Sequence, residues 1–516
     1  MDLELVEQAL ADLSPDAPGL AVGVYSDGKV LRTAARGAAS VEFGVPIDEH
    51  TRFDIASISK QFTATCLLLL ARDGKLSLSD DVRTHVPELA LEVPVTLRQC
   101  LQHTGGLPEW YSLQALTGVP FKELSEDRLM RIISRLRRTT FEPGTEFSYS
   151  NTGYVLAAVV VRRVSGQSLA EFAKERLFGP LGMHDTFFRD DTSLPAPRMA
   201  YGYNGAGRRA DSEESAVGDG GVVTSVSDLA PWFGFLKDGG PLGADLLEAL
   251  LERTVLADGT ELRYALGICH QTVGDLAGYG HAGGMHGYVS NLVYLPGPGV
   301  GVALLTNHSG LDPVPRSVGV ARALTGQEPA PQPVLSSDGE EKRVALLGCW
   351  QDPASRATLT LEPSDLGEIA MSGPAVPSCV LALGEDGRWH GQGDARGYWV
   401  ALEGERLLLG HVGSIRWPTE FTSCAPPGDA ALPEGSWLSD ELGVLAVHED
   451  GVLSVGLTLA ETVAPGPAGE WRAGSATLRL DGGGDLLISA HGLRDMRFVR
   501  QPIGTAPVGI PPGLRD

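Results

Sequence analysis

The spacing of hydrophobic and polar residues predicts interleaved strands and helices over residues 18 to 325. The segment GLAVGVYSDGKVLRTAARG predicts a β-hairpin that turns at Asp27-Gly28. Near residues 288–306, GYVSNLVYLPGPGVGVALLTN predicts two further strands joined by a Pro/Gly turn. Strands at both ends of this region predict an antiparallel sheet that is completed by its first and last elements and covered by helices. The helical patterns between them cover residues 58–72, 127–137, 152–164, 168–177 and 227–237.

The pattern changes after a segment rich in Pro, Gln, Ser and acidic residues, TGQEPAPQPVLSSDGEE at 325–341, which predicts an exposed linker. From about residue 343, short alternating segments separated by Gly/Asp turns predict an all-β region. GCWQD at 348–352 recurs as GSWLSDEL at 435–442, which predicts two small antiparallel barrels that each begin with a Gly-x-Trp strand. The predicted fold class is α+β, with domains at 1–328, 343–425 and 433–510.

Composition and charge narrow the classes of function. The chain has 43% hydrophobic and 21% charged residues, as folded globular proteins do. Its formal charge of −24 argues against nucleic acid and anionic membranes as partners. The start, MDLELVEQALADL, lacks the features of a secretory signal, and no apolar run approaches the about 20 residues of a membrane helix. The six cysteines show no metal-binding spacing, so we expect free thiols and a cytoplasmic location.

Two Ser-x-x-Lys sequences occur, and their surroundings differ. Ser26 and Lys29 lie in the predicted polar turn of the first hairpin, where a lysine is simply solvated. Ser57 and Lys60 lie at the start of FDIASISKQFTATCLLLLARDG, which continues as an almost wholly apolar helix. A lysine at the start of such a helix is costly to bury, because its charge loses water. This second pair is therefore the candidate for chemistry.

Ser57 and Lys60 are three residues apart, so on a helix they share a face and the ammonium can reach the hydroxyl. A helix N-terminus favours negative charge developing on Ser57. Burial would lower the pKa of Lys60, so that some neutral amine could accept a proton. The alternative is structural: Ser57 caps the helix, and Lys60 extends into solvent.

Two further motifs accompany this pair. Tyr149 and Asn151 lie two apart in FEPGTEFSYSNTGYVLAAVVV, just before a predicted helix, where both side chains could point into one cleft. The alternative is that Asn151 or Ser150 only caps that helix. His281 lies in GYGHAGGMHGYVSN, a glycine-rich run that leads into a strand and could expose backbone N–H groups to a ligand.

Ser57-x-x-Lys60, Tyr149-x-Asn151 and His281-Ala282-Gly283 resemble, in order and spacing, the three motifs of the serine β-lactamase and penicillin-binding-protein superfamily. The similarity spans roughly residues 18 to 310 and is nearest to the class C-like branch. It implies a β-lactamase-like catalytic domain of antiparallel sheet and helices. A catalytic region followed by two small barrels is similar to the layout of D-aminopeptidases.

The resemblance also implies an acyl-enzyme mechanism. Ser57 would be the nucleophile, and Lys60 and Tyr149 would share its proton. The backbone N–H groups of Ser57 and Gly284 would hold the oxyanion. The residues that the resemblance assigns to substrate binding are Asn151, His281, Gly283 and Gly284.

Two departures from the family pattern bear on the substrate. Many relatives have a lysine in place of His281, and a neutral histidine binds a substrate carboxylate poorly. This disfavours penicillins and carboxypeptidase substrates, and it fits an enzyme that reads the other end of a peptide, or an ester. In D-aminopeptidases an acidic residue on a last-barrel loop binds the substrate ammonium, but the aligned position here is Ala464. Glu461 or Glu470 could replace that acid.

The leading hypothesis is a serine hydrolase that acts on small peptides or amides, and most specifically a D-stereospecific aminopeptidase. The alternatives are an esterase of the same fold, a peptide cyclase or acyltransferase, and a binding protein without turnover. No cofactor and no metal are expected. The oligomeric state is left open, with a homodimer as one alternative.

Overall fold

The computed structural model describes residues 4–211, 214–327, 340–353, 355–364, 368–373, 376–392, 397–411, 418–456 and 459–502. They belong to two compact units. The first unit comprises Met1–Leu107, Phe121–Met130 and Phe141–Ala330. The second comprises Pro108–Pro120, Arg131–Thr140 and Pro331–Asp516. Two short stretches within the predicted domain 1–328 thus group with the C-terminal region, and the exact domain boundaries stay a prediction.

The helices fall where the apolar periodicity predicts them, with differences at some ends. The predicted helix 58–72 is observed at Ser59–Arg72, and 152–164 at Thr152–Ser165. The helix predicted at 127–137 ends already at Ile133. Residues Arg131–Thr140 belong to the second unit, where the Arg137 N–H donates to Glu441. The α-helices α1 to α13 are Glu4–Gln8, Ser59–Arg72, Val82–His85, Leu97–Leu101, Trp110–Thr117, Glu126–Ile133, Thr152–Ser165, Leu169–Ala173, Gly179–Leu181, Ala230–Asp238, Ala244–Leu251, Pro313–Thr325 and Glu340–Leu346.

The first unit contains a six-stranded antiparallel sheet with the order β2-β1-β11-β10-β9-β8. The first and last strands of the region pair along their whole length, from Leu20↔Thr306 to Ser26↔Val300, as predicted. Asp27 and Gly28 have positive φ of 51° and 71°, which confirms the tight turn of the first hairpin. The strands β1 to β11 are Leu20–Ser26, Lys29–Arg36, Ala38–Ser40, Val45–Pro46, Phe53–Asp54, Phe187–Phe188, Val222–Thr224, Cys269–Val273, Leu276–Met285, Tyr288–Leu295 and Val300–Thr306.

Helices cover this sheet and provide the core of the unit. The apolar cluster that contains Val22 and Leu304 of the sheet also contains Val320 and Leu324 of α12. Tyr25 stacks on Phe233 of α10, with ring centroids 4.2 Å apart. The helix α2 is buried from Ser59 to Leu70 on every side. A helix enclosed in this way is held by tertiary packing, and the residues at its start are held with it.

The second unit contains two closed antiparallel barrels of eight strands, which confirms the predicted fold class. The first and last strands of each barrel pair, for example at Trp350↔Ser423 and Leu438↔Val499. The indoles of both Gly-x-Trp sequences are buried, and Trp437 Nε1 donates to the Gly484 carbonyl at 2.9 Å. The strands β12 to β19 are Gly348–Gln351, Thr358–Pro363, Ile369–Gly373, Val376–Leu383, Trp389–Gly391, Tyr398–Glu403, Arg406–His411 and Thr419–Cys424. The strands β20 to β27 are Gly435–Ser439, Val444–Glu449, Val452–Val455, Leu459–Pro465, Trp471–Ala473, Ala476–Leu480, Leu486–Ala490 and Leu493–Arg500.

Candidate active site

Ser57 lies in the turn that connects a short strand to the buried helix α2. The strand β5 ends at Asp54, and a 3-10 turn spans Ala56–Ile58 before α2 begins. The N-cap position of α2 is Ile58, and no side chain caps this helix. Ser57 is therefore not a helix cap, and its side chain is half-buried rather than enclosed.

Lys60 has no exposed surface, and its ammonium group faces Ser57. Nζ lies 2.9 Å from Ser57 Oγ and donates a hydrogen bond of 2.6 Å to the backbone carbonyl of Asp219. The ring centroids of Tyr149 and Tyr154 lie 5.0 and 5.5 Å from the same nitrogen, at cation–π distance. These contacts rule out the alternative in which Lys60 extends into solvent. The amine is held against the hydroxyl.

The carbonyl that accepts from Lys60 belongs to the glycine-rich loop GDGG at 218–221, which was not among the predicted site residues. Thr63 Oγ1 donates to the Gly218 carbonyl at 2.7 Å, and the Val222 N–H donates to Ser59 Oγ at 3.0 Å. The loop is thus bonded to α2 on both sides of Lys60. Gly218 has φ of 122°, and a Cβ there would lie 2.5 Å from the Tyr154 carbonyl oxygen. The run of glycines is the sequence signal, since glycine permits such close approach.

Tyr149 lies in a turn that is held by His103, a second residue that the prediction missed. The Ser148 N–H donates to the His103 carbonyl at 3.0 Å, and the Ser150 N–H lies 3.1 Å from His103 Nδ1. The imidazole is buried, and its ring centroid lies 4.2 Å from that of Tyr149. His103 itself has positive φ of 58°. Its sequence LQHTGG signals a sharp turn but does not reveal which segment the imidazole supports.

Asn151 precedes the helix α7 but does not cap it with its side chain. It occupies the N-cap position with φ of −68° and ψ of −27°, and no side-chain capping bond is present. Its backbone carbonyl accepts from the N–H groups of Tyr154 and Val155. The alternative in which the Asn151 side chain only caps α7 is therefore wrong.

The strand β9 carries the third motif and has an open outer edge at that point. β9 pairs with β8 only up to Gly280, whereas its pairing with β10 continues to Met285. A two-residue turn follows Met285, so Met285 belongs to a hydrogen-bonded pair and the direction of bonding alternates along the strand. Ala282 and Gly284 therefore direct their N–H and C=O groups away from β10. Gly284 is exposed.

The third motif is attached to the backbone that precedes Ser57. A Cβ at Gly283 would lie 2.1 Å from the Ile55 carbonyl oxygen, so the two backbones approach as closely as only glycine permits. Ser290 Oγ, on the adjacent strand, donates a hydrogen bond of 2.9 Å to the same carbonyl. The open edge at Gly284 is thereby fixed relative to Ser57.

His281 is buried, and both ring nitrogens have neighbours in the protein. Nδ1 lies 2.5 Å from the Ala282 carbonyl oxygen, which requires Nδ1 to carry the proton. Nε2 lies 3.2 Å from the Tyr264 hydroxyl, which donates to it in this tautomer. Burial, followed by the charge of Lys60, lowers the pKa of His281 to about 3. The imidazole is therefore neutral in the physiological range.

The sequence also matches a known protein family over the region that contains these site residues. The sequence matches the family described as Beta-lactamase over residues 4–327, more than half of the chain. The chain belongs to the beta-lactamase family. Together with its curated relatives, this membership identifies the chain as a serine hydrolase with the beta-lactamase fold.

Individual beta-lactamase-family relatives resemble much of the chain. A D-aminopeptidase of Cereibacter sphaeroides is 28% identical over 418 residues, which cover 79% of this chain and 77% of that protein. The octameric penicillin-binding protein homologue from Pyrococcus abyssi has a TM-score of 0.57 at 22% identity and covers 82% of this chain and 100% of its own. The D-amino acid amidase from Ochrobactrum anthropi SV3, complexed with L-phenylalanine, has a TM-score of 0.52 at 25% identity and covers 62% and 97%.

Glu470 and Glu461 are the two acidic residues that could bind a substrate ammonium on the last-barrel loop. They differ in their burial and in their partners. Glu470 is buried, accepts a 2.7 Å hydrogen bond from Gln351 Nε2 and forms an ion pair of 3.2 Å with Arg356. Its carboxylate links the second barrel to the first and is occupied by these partners. Glu461 is half-buried on β23, and Ala464 on the same strand is exposed.

Three observations concern cofactors and location. Among the described residues, no cluster of three or more His, Cys, Asp or Glu side chains could hold a metal ion. In the same part of the chain, no helix has the length and apolar character that crossing a membrane requires. The six cysteines are free thiols.

Proposed function

We propose that this beta-lactamase-family hydrolase is a D-stereospecific aminopeptidase that forms an acyl-enzyme on Ser57. The observation that carries the proposal is the buried Lys60, whose Nζ lies 2.9 Å from Ser57 Oγ beside the ring of Tyr149. A general base must lie within hydrogen-bond distance of the proton that it removes, and Lys60 meets this condition. The names of the curated relatives support the substrate class.

In the proposed mechanism, Ser57 Oγ attacks the carbonyl carbon of the substrate while its proton passes to Lys60 and Tyr149. The negative oxygen that forms is bound by the N–H groups of Ser57 and Gly284. The carbon–nitrogen bond then breaks, and the leaving amine takes the proton. Water next attacks the ester on Ser57 and transfers a proton to the same pair of side chains. The bond between the carbonyl carbon and Ser57 Oγ then breaks, Oγ takes that proton back, and the acid is released. Asn151 binds the substrate amide.

The neutral imidazole of His281 supports a substrate that needs no carboxylate for binding. A neutral, enclosed imidazole provides no cation for a carboxylate, so we assign His281 to holding β9 beside Lys60. Gly283 contributes by allowing this strand to approach Ile55. With no cation for a substrate carboxylate, the end of a peptide that the enzyme can recognise is the amino end, as an aminopeptidase requires. The six free thiols make the cytoplasm our expected location.

One observation favours a second candidate, an esterase of the same fold. An aminopeptidase must bind an ammonium group, yet the loop that could supply the acid has Ala464 at the aligned position. Glu470 is occupied by Gln351 and Arg356, which leaves Glu461 as the remaining candidate. An ester substrate needs no such acid.

The test is parallel hydrolysis of D-Ala p-nitroanilide, L-Ala p-nitroanilide and p-nitrophenyl butyrate, with Ser57→Ala as the control. We expect turnover of the D-anilide, little turnover of the L-anilide, and none in the variant. Turnover of the ester alone would refute the aminopeptidase and favour the esterase. A thioester-activated peptide tested in parallel reveals acyl transfer, because a cyclic product then forms in place of the free acid.

A further inference from the structure

The residue before Ser57 has an unusual backbone conformation. Ala56 has φ of 48°, in the left-handed region that residues with a side chain rarely adopt. It lies where the chain changes direction between the strand β5 and the helix α2. The direction in which Ser57 leaves this turn therefore depends on a conformation that the surroundings must enforce.

Asp54 contacts the backbone of Ala56. Its Oδ1 accepts a hydrogen bond of 2.8 Å from the Ala56 N–H, which closes a turn of the kind that aspartate side chains form two residues on. The side chain is only 3% exposed, although a buried carboxyl group is costly. Burial raises the pKa of Asp54 to about 6, with Arg189 opposing this shift and Asp219 adding to it. The carboxyl group therefore titrates nearer to neutral pH than an ordinary aspartate, and its ionised form is the stronger acceptor.

Ile55, which lies between Asp54 and Ala56, is held by hydrogen bonds through both its N–H and its C=O group. The Ile55 N–H donates to the Val222 carbonyl at 3.0 Å, and the Ile55 carbonyl accepts from Ser290 Oγ at 2.9 Å. The chain is thus fixed at Ile55. The Ile58 N–H donates to the same Ile55 carbonyl at 3.2 Å and closes a turn. Ala56 is the left-handed residue of this turn, which carries Ser57.

We infer that Asp54 is a positioning residue, which holds Ala56 in its left-handed conformation and thereby directs Ser57 Oγ toward Lys60 and the open edge of β9. Asp54 touches no reacting atom in this role. The inference rests on the proposed function, because it concerns the reactivity of Ser57.

The test compares Asp54→Ala, Asp54→Asn, Ala56→Gly and the double variant Asp54→Ala/Ala56→Gly. The rate of acylation by a fluorophosphonate probe is measured for each, with kcat and KM where turnover is found. Displacing the nucleophile in Asp54→Ala should slow acylation about 10- to 100-fold and lower kcat more than it changes KM. Asp54→Asn keeps an acceptor at Oδ1 and should stay within about threefold of the wild type.

The double variant distinguishes a loss of acylation caused by displacement of Ser57 from a loss caused by a disturbed fold. Glycine adopts a left-handed φ without help, so the loss caused by Asp54→Ala should shrink to about threefold or less in the Ala56→Gly background. Asp258→Ala is the matched control, since Asp258 Oδ1 makes the same contact with the Thr260 N–H, at 2.9 Å, in an exposed turn. Its acylation rate should equal that of the wild type.

Several outcomes would overturn the inference. Equal acylation of Asp54→Ala and the wild type is one, and an undiminished loss in the double variant is another. If Asp54→Ala does not fold, the double variant Asp54→Ala/Ala56→Gly decides: a folded double variant acylated within about tenfold of the wild type supports the inference, and an unfolded or slower one refutes it. Failure of the proposed function would look different, because the probe would then not label Ser57 in the wild type at all.

Discussion

Lys60 Nζ and Ser57 Oγ are joined by a 2.9 Å hydrogen bond, whereas the same Ser-x-x-Lys spacing at Ser26 and Lys29 produces no such contact among the hydrogen bonds of the described chain. Ser26 and Lys29 face each other across the first hairpin, and Lys29 is exposed. Spacing alone is therefore not informative. What distinguishes the buried pair is the 3-10 turn, which brings the hydroxyl and the amine to one side, and the closed packing around α2.

Replacing Lys60 by methionine should abolish acylation of Ser57 while leaving the protein folded. Loss of a general base costs about 100- to 10,000-fold in rate, and an apolar side chain of similar length fits a buried site. The measurements are labelling by a fluorophosphonate probe and the Tm. Lys29→Met is the matched control, because it removes the lysine of the exposed copy. Labelling of Lys60→Met at the wild-type rate would contradict the assigned role of the amine.

His103 should prove important for kcat although it lies outside the three motifs. His103→Leu removes the acceptor of the Ser150 N–H and puts a branched side chain at a positive φ, so the turn that carries Tyr149 should loosen and kcat fall about 10- to 100-fold. His103→Asn keeps a side-chain acceptor, and asparagine tolerates this φ, so its loss should be smaller. Steady-state kinetics on the best substrate check both. Equal losses in the two variants would show that the turn does not depend on this hydrogen bond.

Gly283 of the third motif and Gly284, which follows it, should respond differently to the same substitution. Gly283→Ala puts a Cβ 2.1 Å from the Ile55 carbonyl oxygen, so β9 must move away from the segment before Ser57, and activity should fall about 100-fold. Gly284→Ala meets nothing nearer than Val289 Cγ1 at 3.7 Å and keeps its N–H group, so it should fold normally and keep its acylation rate within about tenfold. The comparison is made by probe acylation and Tm. A harmless Gly283→Ala would mean that this contact does not position the strand.

The sequence predicts the strands of the sheet and of the two barrels from local periodicity and turn residues, and the pairing of β1 with β11 from the presence of strands at both ends of the region. The nearness of Lys60 to Ser57 is predicted from their spacing at the start of an apolar helix, although Ser57 lies in the 3-10 turn that precedes α2. The roles of His103 and Asp219 could not be predicted, because each depends on contacts between segments far apart in the chain, at separations of 47 and 159 residues. Asp219 acts through its backbone carbonyl, and His103 acts through a hydrogen bond between its imidazole and a backbone N–H group, so neither residue type by itself indicates the function.

The side chain of Glu470 illustrates the same limit in the second unit. Its position in the loop AETVAPGPAGEW suggested a substrate contact, whereas its carboxylate binds Gln351 and Arg356 of the other barrel. The first barrel provides these partners from positions more than a hundred residues earlier, at separations of 119 and 114 residues. Such a pairing leaves no trace in local sequence.

The neutral state of His281 should be visible in the pH dependence of stability. Its pKa is lowered from 6.5 to about 3, so below pH 6.5 the unfolded chain binds a proton that the folded chain does not, and stability falls as the pH decreases toward 3. From pH 6.5 to 4.5 this amounts to about 2 kcal/mol, because the unfolded histidine is already half-protonated at pH 6.5. His281→Gln removes the titration, so its Tm should fall less than that of the wild type between pH 7.5 and 4.5. Asp54, with its raised pKa, acts in the opposite direction in both proteins and cancels in the comparison. Parallel Tm profiles for wild type and variant would mean that His281 already accepts a proton in the folded state, and the proposed lack of a cation for a substrate carboxylate would then be wrong.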